Sequence, residues 1–438
     1  MRHSLGALTL SALVAQTGWA GESLRAGALD AQFSLTAGGA NIDARHVNFG
    51  AGRVDQRSAE NTGERAHWQE FYLKPGVNLA YPLTSELELL GAVSVLGATT
   101  LGDGDAGGYT RGSDGRVGLE EAYAGLHSGA WRFTAGRQNY QVGSGFIVMD
   151  GNLDKRDDGA FWLGPRSAFR DSGLLSYSQG PLGAQAFSLR TDDDLGDFRM
   201  TGMNLDYRLA DTVTLGLMAF GVDSLTSAGQ ASVARDGMQV YNLRALNGRL
   251  PGLDNLTIDA ELALERGHGD GVDYHARAWY AQAGYRFASL PLAPFLSYRY
   301  ALFSGDSDLG DQHRKDWDPL SKGFSDWSTW LIGDVVGNYL LNNSNERVSQ
   351  WTVKAQLSEH LMLGGIHYQF SLDQANYYGM PVSERRFADE SVVFLDWIAA
   401  EGLSTSLSYN WVQPRSAVKE VFGDDNFNTL EMYFTYRY

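Results

Sequence analysis

Hydrophobic and polar residues alternate with a period of two along most of this chain. The C-terminal segment is the clearest example, because one of its faces is apolar or aromatic and the other is mostly polar. The first face holds Leu430, Met432, Phe434, Tyr436 and Tyr438, and the second holds Glu431, Tyr433, Thr435 and Arg437. Successive side chains of a strand point to opposite faces, so the pattern predicts a strand with one apolar and one wet face.

The same alternation predicts eighteen strands. Most run for about nine or more residues, the length that a tilted transmembrane strand needs. The predicted strands begin near Leu29, Trp68, Glu86, Val117, Trp131, Phe169, Ala184, Arg199, Val213, Gln239, Leu256, His275, Pro294, Val348, Leu361, Val392, Leu403 and Thr429. In the hairpins around Leu119–Phe133 and Tyr274–Phe287, the alternation leaves open which face points inward.

Short and long connections follow one another in turn between these strands. Short links such as His127-Ser128-Gly129 alternate with links that are mostly long and rich in Gly and Asp, such as Gly305–Glu346. Short periplasmic turns and long external loops are typical of outer-membrane barrels. Closing the sheet also satisfies every backbone group in lipid. We therefore predict an all-β fold, a transmembrane antiparallel up-and-down β-barrel of about eighteen strands, in the outer membrane of a Gram-negative bacterium.

The first twenty residues are typical of a secretory signal peptide. A short basic start is followed by a mostly apolar run from Leu5 to Ala15, and Gly18-Trp19-Ala20 places small residues where a signal peptidase cuts. A buried N-terminal helix is the alternative. We predict a signal peptide over residues 1–20 and a single barrel domain over residues 21–438.

The composition excludes several other classes of protein. The 438 residues include no Cys, which excludes a disulfide scaffold, a thiolate metal site and a cysteine nucleophile. The formal net charge of −17 argues against a nucleic-acid-binding protein, because phosphate contacts need a basic face. The 21 Tyr, 20 Phe and 11 Trp suit the aromatic girdles of a membrane barrel.

Charged residues on the wet faces are expected to line the lumen, because an Arg or Lys facing lipid near the midplane costs about 2–4 kcal/mol. The expected inward cations are Lys74, Arg132, Arg190, Arg208, Arg244, Arg286, Arg299, Lys354 and Arg437. The expected inward anions are Glu70, Glu88, Glu121, Asp206, Asp259, Glu261, Glu265, Asp396 and Glu431. Two interpretations stay open: a self-neutralising lumen with Arg–carboxylate pairs, or a pore that offers Arg and Lys to an anionic sugar.

The long loops carry further charges. The third and seventh loops add Lys155, Arg156, Arg166, Arg170, Arg314 and Lys315, which either narrow the pore or are solvated. Acidic clusters make Asp192, Asp194, Asp306 and Asp308 candidate Ca²⁺ ligands, although no EF-hand spacing is present. Solvated loop carboxylates are the simpler explanation of these clusters.

Three strings resemble the alginate export family of Gram-negative outer membranes. They are Arg314-Lys315-Asp316-Trp317-Asp318-Pro319-Leu320 with Trp327, Trp330, Gly333-Asp334 and Asn342-Asn343-Ser344-Asn345, then Leu119-Glu120-Glu121-Ala122-Tyr123, and Gly136-Arg137-Gln138. The resemblance implies an eighteen-stranded monomeric barrel that passes a polyuronate through an Arg-lined constriction gated by loops. It makes Arg137 a pore residue, although strict alternation would turn Arg137 to the lipid unless a bulge intervenes.

The predicted function is an outer-membrane channel for passive export of an anionic exopolysaccharide. The expected contacts are Arg137, Arg170, Arg244, Arg299 and Lys354. Expected partners are the polysaccharide or another anionic solute, outer-membrane lipid and lipopolysaccharide, and a periplasmic secretion protein. An uptake porin for small organic acids or oligosaccharides is the alternative, because fold does not fix function. No nucleophile elbow or His-Glu-x-x-His string occurs, so we predict neither catalysis nor a cofactor.

Overall fold

The computed structural model describes residues 23–210, 212–226, 233–250, 252–322 and 333–438. The predicted signal peptide, residues 1–20, lies outside the described residues, as do Trp327 and Trp330 of the seventh loop. No helix in the described part of the chain is long and apolar enough to cross a membrane.

Eighteen antiparallel strands form one closed barrel, which confirms the predicted fold class. Each strand pairs with its neighbours in the chain, and the first strand pairs with the last from Thr36–Arg437 to Arg45–Asn428. The first nine strands are β1 Leu29–Arg45, β2 Arg65–Pro82, β3 Glu88–Gly102, β4 Gly115–Ser128, β5 Trp131–Gln138, β6 Phe169–Gln179, β7 Leu182–Arg190, β8 Phe198–Leu209 and β9 Val213–Ser224. The other nine are β10 Met238–Leu250, β11 Leu253–Gly269, β12 Arg277–Arg286, β13 Phe295–Phe303, β14 Glu346–Ser358, β15 Leu361–Leu372, β16 Arg386–Ala400, β17 Leu403–Pro414 and β18 Phe427–Arg437.

The outer surface of the barrel is apolar, as the alternation predicts. Leu205, Leu217, Leu243 and Leu262 lie opposite one another on β8 to β11 and form one exposed row. Directly opposite residues of antiparallel strands point to the same face. The row therefore forms part of a lipid-facing band.

A bulge settles the facing of the β4–β5 hairpin. The pairing of β3 with β4 shifts register where Ser94 and Val95 pair with Glu121 and Leu119, so Glu120 is the extra residue. Glu120 is fully buried and contacts a loop inside the barrel, whereas Leu119 is half-exposed. Both Glu120 and Glu121 therefore point inward, and strict alternation could identify only Glu121.

Nine loops, most of them long, leave one end of the barrel, which we call the loop end, and short turns join the strands at the other, the turn end. We number these loops L1 to L9; L1 spans 46–64, L3 139–168, L4 191–197, L7 304–345 and L9 415–426. Short helical segments lie in several loops: Val47–Gly50 in L1, Arg156–Asp158 in L3, Asp193–Leu195 in L4, a π-helix Asp334–Leu340 in L7, and the α-helix α1 Ser416–Val421 in L9. Short additional strands are Ser23–Ala26, Val272–Tyr274, His313–Arg314, Asn376–Tyr377 and Met380–Pro381.

L3 and L7 fold into the barrel and build a hydrophobic core there. Phe146 of L3 lies 5.2 Å from Tyr280, 5.6 Å from Phe303 and 6.5 Å from Trp317 of L7, measured between ring centroids. The wall contributes an inward row of buried Met200, Val222 and Met238. The lumen is therefore not uniformly polar near the loop end, because the inner wall there buries its apolar side chains against the loops.

Candidate functional site

One cavity of about 1940 Å³ extends from the turn end of the barrel to L3 and L7. At the turn end its wall includes His360, Gly402 and Leu403. At the other end it is bounded by L3 residues such as Phe161 and by L7 residues such as Tyr339. The inward-folded loops therefore narrow the lumen and are the candidate selectivity element.

Carboxylates of the wall hold L3 by its backbone. Glu70 on β2 accepts hydrogen bonds from the backbone N–H groups of Trp162 (3.1 Å) and Leu163 (2.8 Å). Glu120 on β4 accepts them from Ser167 (2.9 Å) and Ala168 (3.0 Å). Each side chain satisfies two backbone N–H groups that would otherwise be buried without a partner, so Glu70 and Glu120 fix the course of L3.

L7 is held in the same way. The fully buried Glu390 on β16 accepts hydrogen bonds from the backbone N–H groups of Asp334 (3.0 Å), Val335 (3.3 Å) and Val336 (2.8 Å). These groups begin the π-helix Asp334–Leu340, where the first N–H groups have no partner within a helix. Glu390 was not among the residues singled out from the sequence, because it lies in a run of buried residues without alternation.

L3 and L7 also bind each other. The backbone N–H groups of Met149 and Asp150 both donate to the carbonyl oxygen of Ser321, at 2.8 and 2.9 Å. The Ser321 hydroxyl donates to the carbonyl oxygen of Ile147 at 3.1 Å. The two loops therefore form one connected obstruction inside the barrel.

Three of the predicted pore cations line the cavity: Lys74, Arg132 and Arg437. Lys74 and Arg437 both lie opposite Thr36, in one row across β18, β1 and β2. L3 adds Lys155 and Arg156, which were predicted as loop charges. Among the described residues, none of Lys74, Arg132 and Arg156 has an ion-pair partner, so their charges face the cavity.

Arg244 is placed differently from its predicted role. Its side chain is buried, with 1% exposed, and it donates to Asn242 (3.0 Å), Asn204 (2.5 Å) and Asp206 (2.5 Å). A Cβ at Gly143 of L3 would lie 2.9 Å from the Arg244 Cδ atom. Arg244 therefore fastens β8 to β10 beneath L3, and its guanidinium is not in the cavity wall.

The arginines near the loop end are paired with carboxylates. Arg166 is buried inside L3 against Asp154 (3.0 Å) and the carbonyl oxygen of Asp158 (2.8 Å). Arg170 contacts Asp193 at 2.9 Å and Asp192 at 3.3 Å, and Arg190 contacts Asp197 at 2.7 Å. For these residues the structure matches the interpretation of a self-neutralising lumen.

Arg137 lies beside a bulge, which strict alternation along β5 requires if Arg137 is not to face the lipid. The register of β5 with β6 shifts between Gly136 and Gln138. Its Nε–H donates to the carbonyl oxygen of Glu120 at 3.0 Å, and its guanidinium lies 3.9 Å from Asp192. Arg137 is not in the cavity wall and positions the strand next to the L3 anchor.

The last three predicted pore cations lie on β12 to β14, outside the lining of the cavity. Arg286 lies against Phe295, 5.8 Å from the ring centroid. Arg299 donates to Gln282 (2.7 Å) and lies over Tyr280, 5.4 Å from its centroid. Lys354 is half-buried opposite Phe295.

Aromatic rings and two further cations complete the wall, and the sequence did not single them out as site residues. The rings include Tyr72, Tyr109, Tyr123, Tyr140, Phe161, Trp162, Tyr339, Tyr378 and Tyr433. Arg235 lines the cavity while it holds Asp318 of L7 (2.8 and 3.0 Å), and Lys322 donates to Asn338 at 2.6 Å. Their spacing in the sequence carries no signal, because loops and strands that are distant in the chain bring them together.

The four candidate Ca²⁺ ligands have other partners. Asp192 contacts Arg170 and Arg137, and half-buried Asp194 lies near Lys155, whose charge counters the burial that raises the pKa of Asp194. Asp306 accepts hydrogen bonds from the N–H groups of Asp308 and Lys315, both at 2.9 Å, and Asp308 accepts one from Gly310 at 3.0 Å. These contacts do not bring the four carboxylates together around one point.

Two neighbouring groups of the wall give the channel a predicted pH dependence. Burial raises the pKa of Asp150 to about 8 and lowers that of Lys322 to about 8. As pH rises through 8, the carboxyl becomes negative and the ammonium becomes neutral, so the local charge changes from positive to negative. Glu120 and Glu346 also face this pair.

We expect the chloride-to-potassium permeability ratio to fall by roughly twofold between pH 6.5 and pH 9, measured from reversal potentials in planar bilayers. Lys322→Met should remove about half of this change, because Asp150 still titrates, whereas Lys419→Met, on the exposed end of α1, should leave it intact. A ratio independent of pH in the unmodified chain would contradict the assignment.

The sequence model of the alginate export family matches residues 114–329. The match confirms the resemblance to this family over that part of the chain. It includes L3, the anchor Glu120 and the string Arg314–Leu320 of L7. No curated protein sequence matches the chain.

Solved structures of other outer-membrane proteins share the fold. Pseudomonas aeruginosa OccK5 (OpdH) superposes with a TM-score of 0.60 at 12% identity, over 94% of this chain and 99% of that one. A BenF-like porin from Pseudomonas fluorescens Pf-5 gives 0.60 at 13% identity, over 93% and 98%. Acinetobacter baumannii OccAB2 gives 0.59 at 10% identity, over 93% and 98%. The chain is an outer-membrane β-barrel of a Gram-negative bacterium, with the fold of a channel protein.

Proposed function

We propose that this barrel is a passive export channel for an anionic polysaccharide such as an alginate-like polyuronate. The observation that carries the proposal is the cavity wall, which holds aromatic rings together with cations, Lys74, Arg132 and Arg156, that have no ion-pair partner among the described residues. Pyranose rings stack on aromatic faces, and guanidinium groups bind carboxylates in a bidentate fork. A series of weak sites of both kinds lets a polymer enter and still leave.

The contacts differ from those expected on sequence grounds alone. We propose Lys74, Arg132 and Arg156 as the carboxylate-binding cations and Phe161 and Trp162 as stacking surfaces. Arg132 lies toward the turn end of the wall and Arg156 on L3, so a polymer would meet one positive charge before the narrowing and another at it. The family match supports an exported polyuronate as the solute, and outer-membrane lipid surrounds the proposed monomer.

A small-solute porin remains the second candidate, and the charge of the cavity wall favours it. The same wall carries carboxylates as well as cations: Glu121, Asp150, Asp154, Asp193, Asp194, Asp206, Asp334, Glu359 and Asp396. A mixed wall is compatible with small acids or oligosaccharides entering from outside. In that case a long polyuronate would not occupy the pore.

The test is the current through single channels of the purified barrel in a planar bilayer, with polyuronate added on the turn-end side. We expect reversible block by polyuronate and none by a neutral glucan of equal length. The block should weaken as salt is raised, because screening shortens the reach of the charges. Normal conductance without any effect of polyuronate would leave the small-solute porin as the function.

Substitutions of residues in the cavity wall test whether polyuronate blocks the current by binding there. Arg132→Ala and Arg156→Ala should each lower the affinity for polyuronate by about 5- to 30-fold, the effect of losing about 1–2 kcal/mol of charge-assisted binding. Phe161→Ala should also lower the affinity for polyuronate, but it should change ion selectivity little, since the ring carries no charge. Lys419→Ala removes a charge outside the cavity and is the matched control.

A further inference from the structure

A group of metal-ligating side chains lies on the loop end, away from the cavity. His46 and Glu64, at the two ends of L1, and Asp425 of L9 each offer one ligand atom, and these atoms lie within 4.8 Å of one another. No second group of three metal-ligating side chains this close together is found among the described residues. The site is separate from the proposed transport path, because none of the three residues lines the cavity.

The position of the imidazole suits a metal ligand. The Nδ1 atom of His46 lies 3.3 Å from the carbonyl oxygen of Asn426, to which it can donate a hydrogen bond. This tautomer leaves the lone pair of Nε2 free. Histidines that bind metals commonly donate their other ring N–H to a carbonyl or carboxylate in this manner.

The two carboxylates are not neutralised by a direct ion pair among the described residues. Neither Glu64 nor Asp425 has an ion pair or a side-chain hydrogen bond among the described residues. A neutral imidazole and two carboxylates carry a charge of about −2, which a divalent cation neutralises. Their proximity without a cation would leave two like charges facing each other.

The loops that carry the three ligands are packed together by a buried aromatic cluster. Phe49 of L1 is fully buried, and its ring centroid lies 6.1 Å from those of Phe422 and Phe427. Gly50, at φ +92°, allows the Asp425 carboxylate to approach, because a Cβ there would lie 2.7 Å from its Oδ2 atom. The ligands are therefore held near one another before any cation binds.

We propose that His46, Glu64 and Asp425 bind a divalent cation, with Zn²⁺ preferred over Ca²⁺, that fastens L1 to L9. One imidazole nitrogen and two carboxylate oxygens suit Zn²⁺, which takes three protein ligands and a water, whereas Ca²⁺ requires six to eight oxygens. L1 joins β1 to β2 and L9 joins β17 to β18, so the cation bridges the seam where β1 pairs with β18. The site would stabilise the closure of the barrel at its outer rim.

The experiment is calorimetric titration of Zn²⁺ into the purified full-length barrel after removal of metals with EDTA. We expect one Zn²⁺ per barrel, a micromolar or tighter dissociation constant, and Ca²⁺ binding at least tenfold weaker. His46→Gln and Glu64→Gln should each weaken Zn²⁺ binding at least tenfold. Bound Zn²⁺ should raise the unfolding temperature of the unmodified barrel by about 2 °C or more, and this rise should be absent in both variants.

A matched control is provided by two other histidines. His268 and His313 contact opposite oxygens of Asp273, at 2.7 and 3.4 Å, in a part of the rim that is remote in sequence from L1 and L9. The double variant His268→Gln/His313→Gln should keep the full Zn²⁺ affinity. Loss of binding in this control, equal binding by the His46→Gln barrel, or tighter binding of Ca²⁺ than Zn²⁺ would overturn the proposal. Migration on unheated gels verifies that each variant is folded, so a misfolded barrel is not counted as a loss of affinity.

Discussion

Glu390→Ala is expected to open the pore. The substitution removes the acceptor of three backbone N–H groups at the start of the π-helix of L7 and leaves those groups buried without a partner. A buried N–H group left without a partner costs about 1–3 kcal/mol, so the loss of the acceptor of three such groups should cost about 3 kcal/mol or more. The part of L7 that begins with the π-helix should then shift out of the lumen, while Ser321 and Asp318 still hold the earlier part of L7 to L3 and to Arg235.

Single-channel recording checks this expectation. We expect a conductance increased by roughly twofold or more, with larger fluctuations, since a wider lumen passes more ions. Glu390→Gln keeps a carbonyl acceptor and should have a smaller effect. Glu88→Ala, at the turn end of β3 near His127, touches neither loop and should leave the current unchanged. A folded Glu390→Ala barrel with the original conductance would show that L7 is held by other contacts.

Arg244→Ala is expected to lower the stability of the barrel and not to act on solutes directly. Losing the hydrogen bonds of a buried guanidinium costs about 1.5–3 kcal/mol, less than breaking a fully buried ion pair, because Asp206 is 30% exposed to the cavity. Here Asp206 loses its ion-pair partner, Asn204 and Asn242 lose a donor, and a void is left beneath Gly143 of L3.

Two measurements distinguish a role in stability from a role in solute binding: thermal unfolding followed on gels, and the block of current by polyuronate. Arg244→Ala should unfold several degrees lower than the unmodified barrel, while Arg132→Ala should unfold normally but bind polyuronate weakly. Arg244→Lys keeps the charge but not the fork geometry and should be intermediate in stability. If Arg244→Ala were fully stable and had lost only the block, the buried position described above would be contradicted.

Glu390 and Arg244 have structural roles because both side chains are buried against a loop inside the barrel. The alternation placed Arg244 on the inner face of β10, which is correct, but the inner face is not the same as the cavity wall. L3 covers Arg244, and no feature of the strand sequence indicates where a loop will cover it. Glu390 was missed because the four consecutive residues Phe387–Glu390 are all buried. One face of this segment is buried in the barrel interior and the other by L7 and L9, so the segment lacks the period of two.

The barrel itself followed from the sequence. Each strand has a lipid face that must be apolar, and lipid requires all backbone groups to pair within a closed sheet. These requirements constrain each position of a strand. The sequence pattern therefore predicts eighteen strands and the alternation of short turns with long loops. The bulges opposite Ser94 and beside Arg137 are the exceptions, since one extra residue reverses the facing of all that follows.

The sequence by itself therefore determined the fold class, the membrane-facing surface and the candidate charges. Only the tertiary structure decided which charges are available to a solute. Arg166, Arg170 and Arg190 lie against carboxylates brought to them by loops, whereas Lys74, Arg132 and Arg156 face the cavity. The physical reason is that strand facing is a local property with a period of two, while the pairing of a charge depends on contacts between loops and walls that are far apart in the chain.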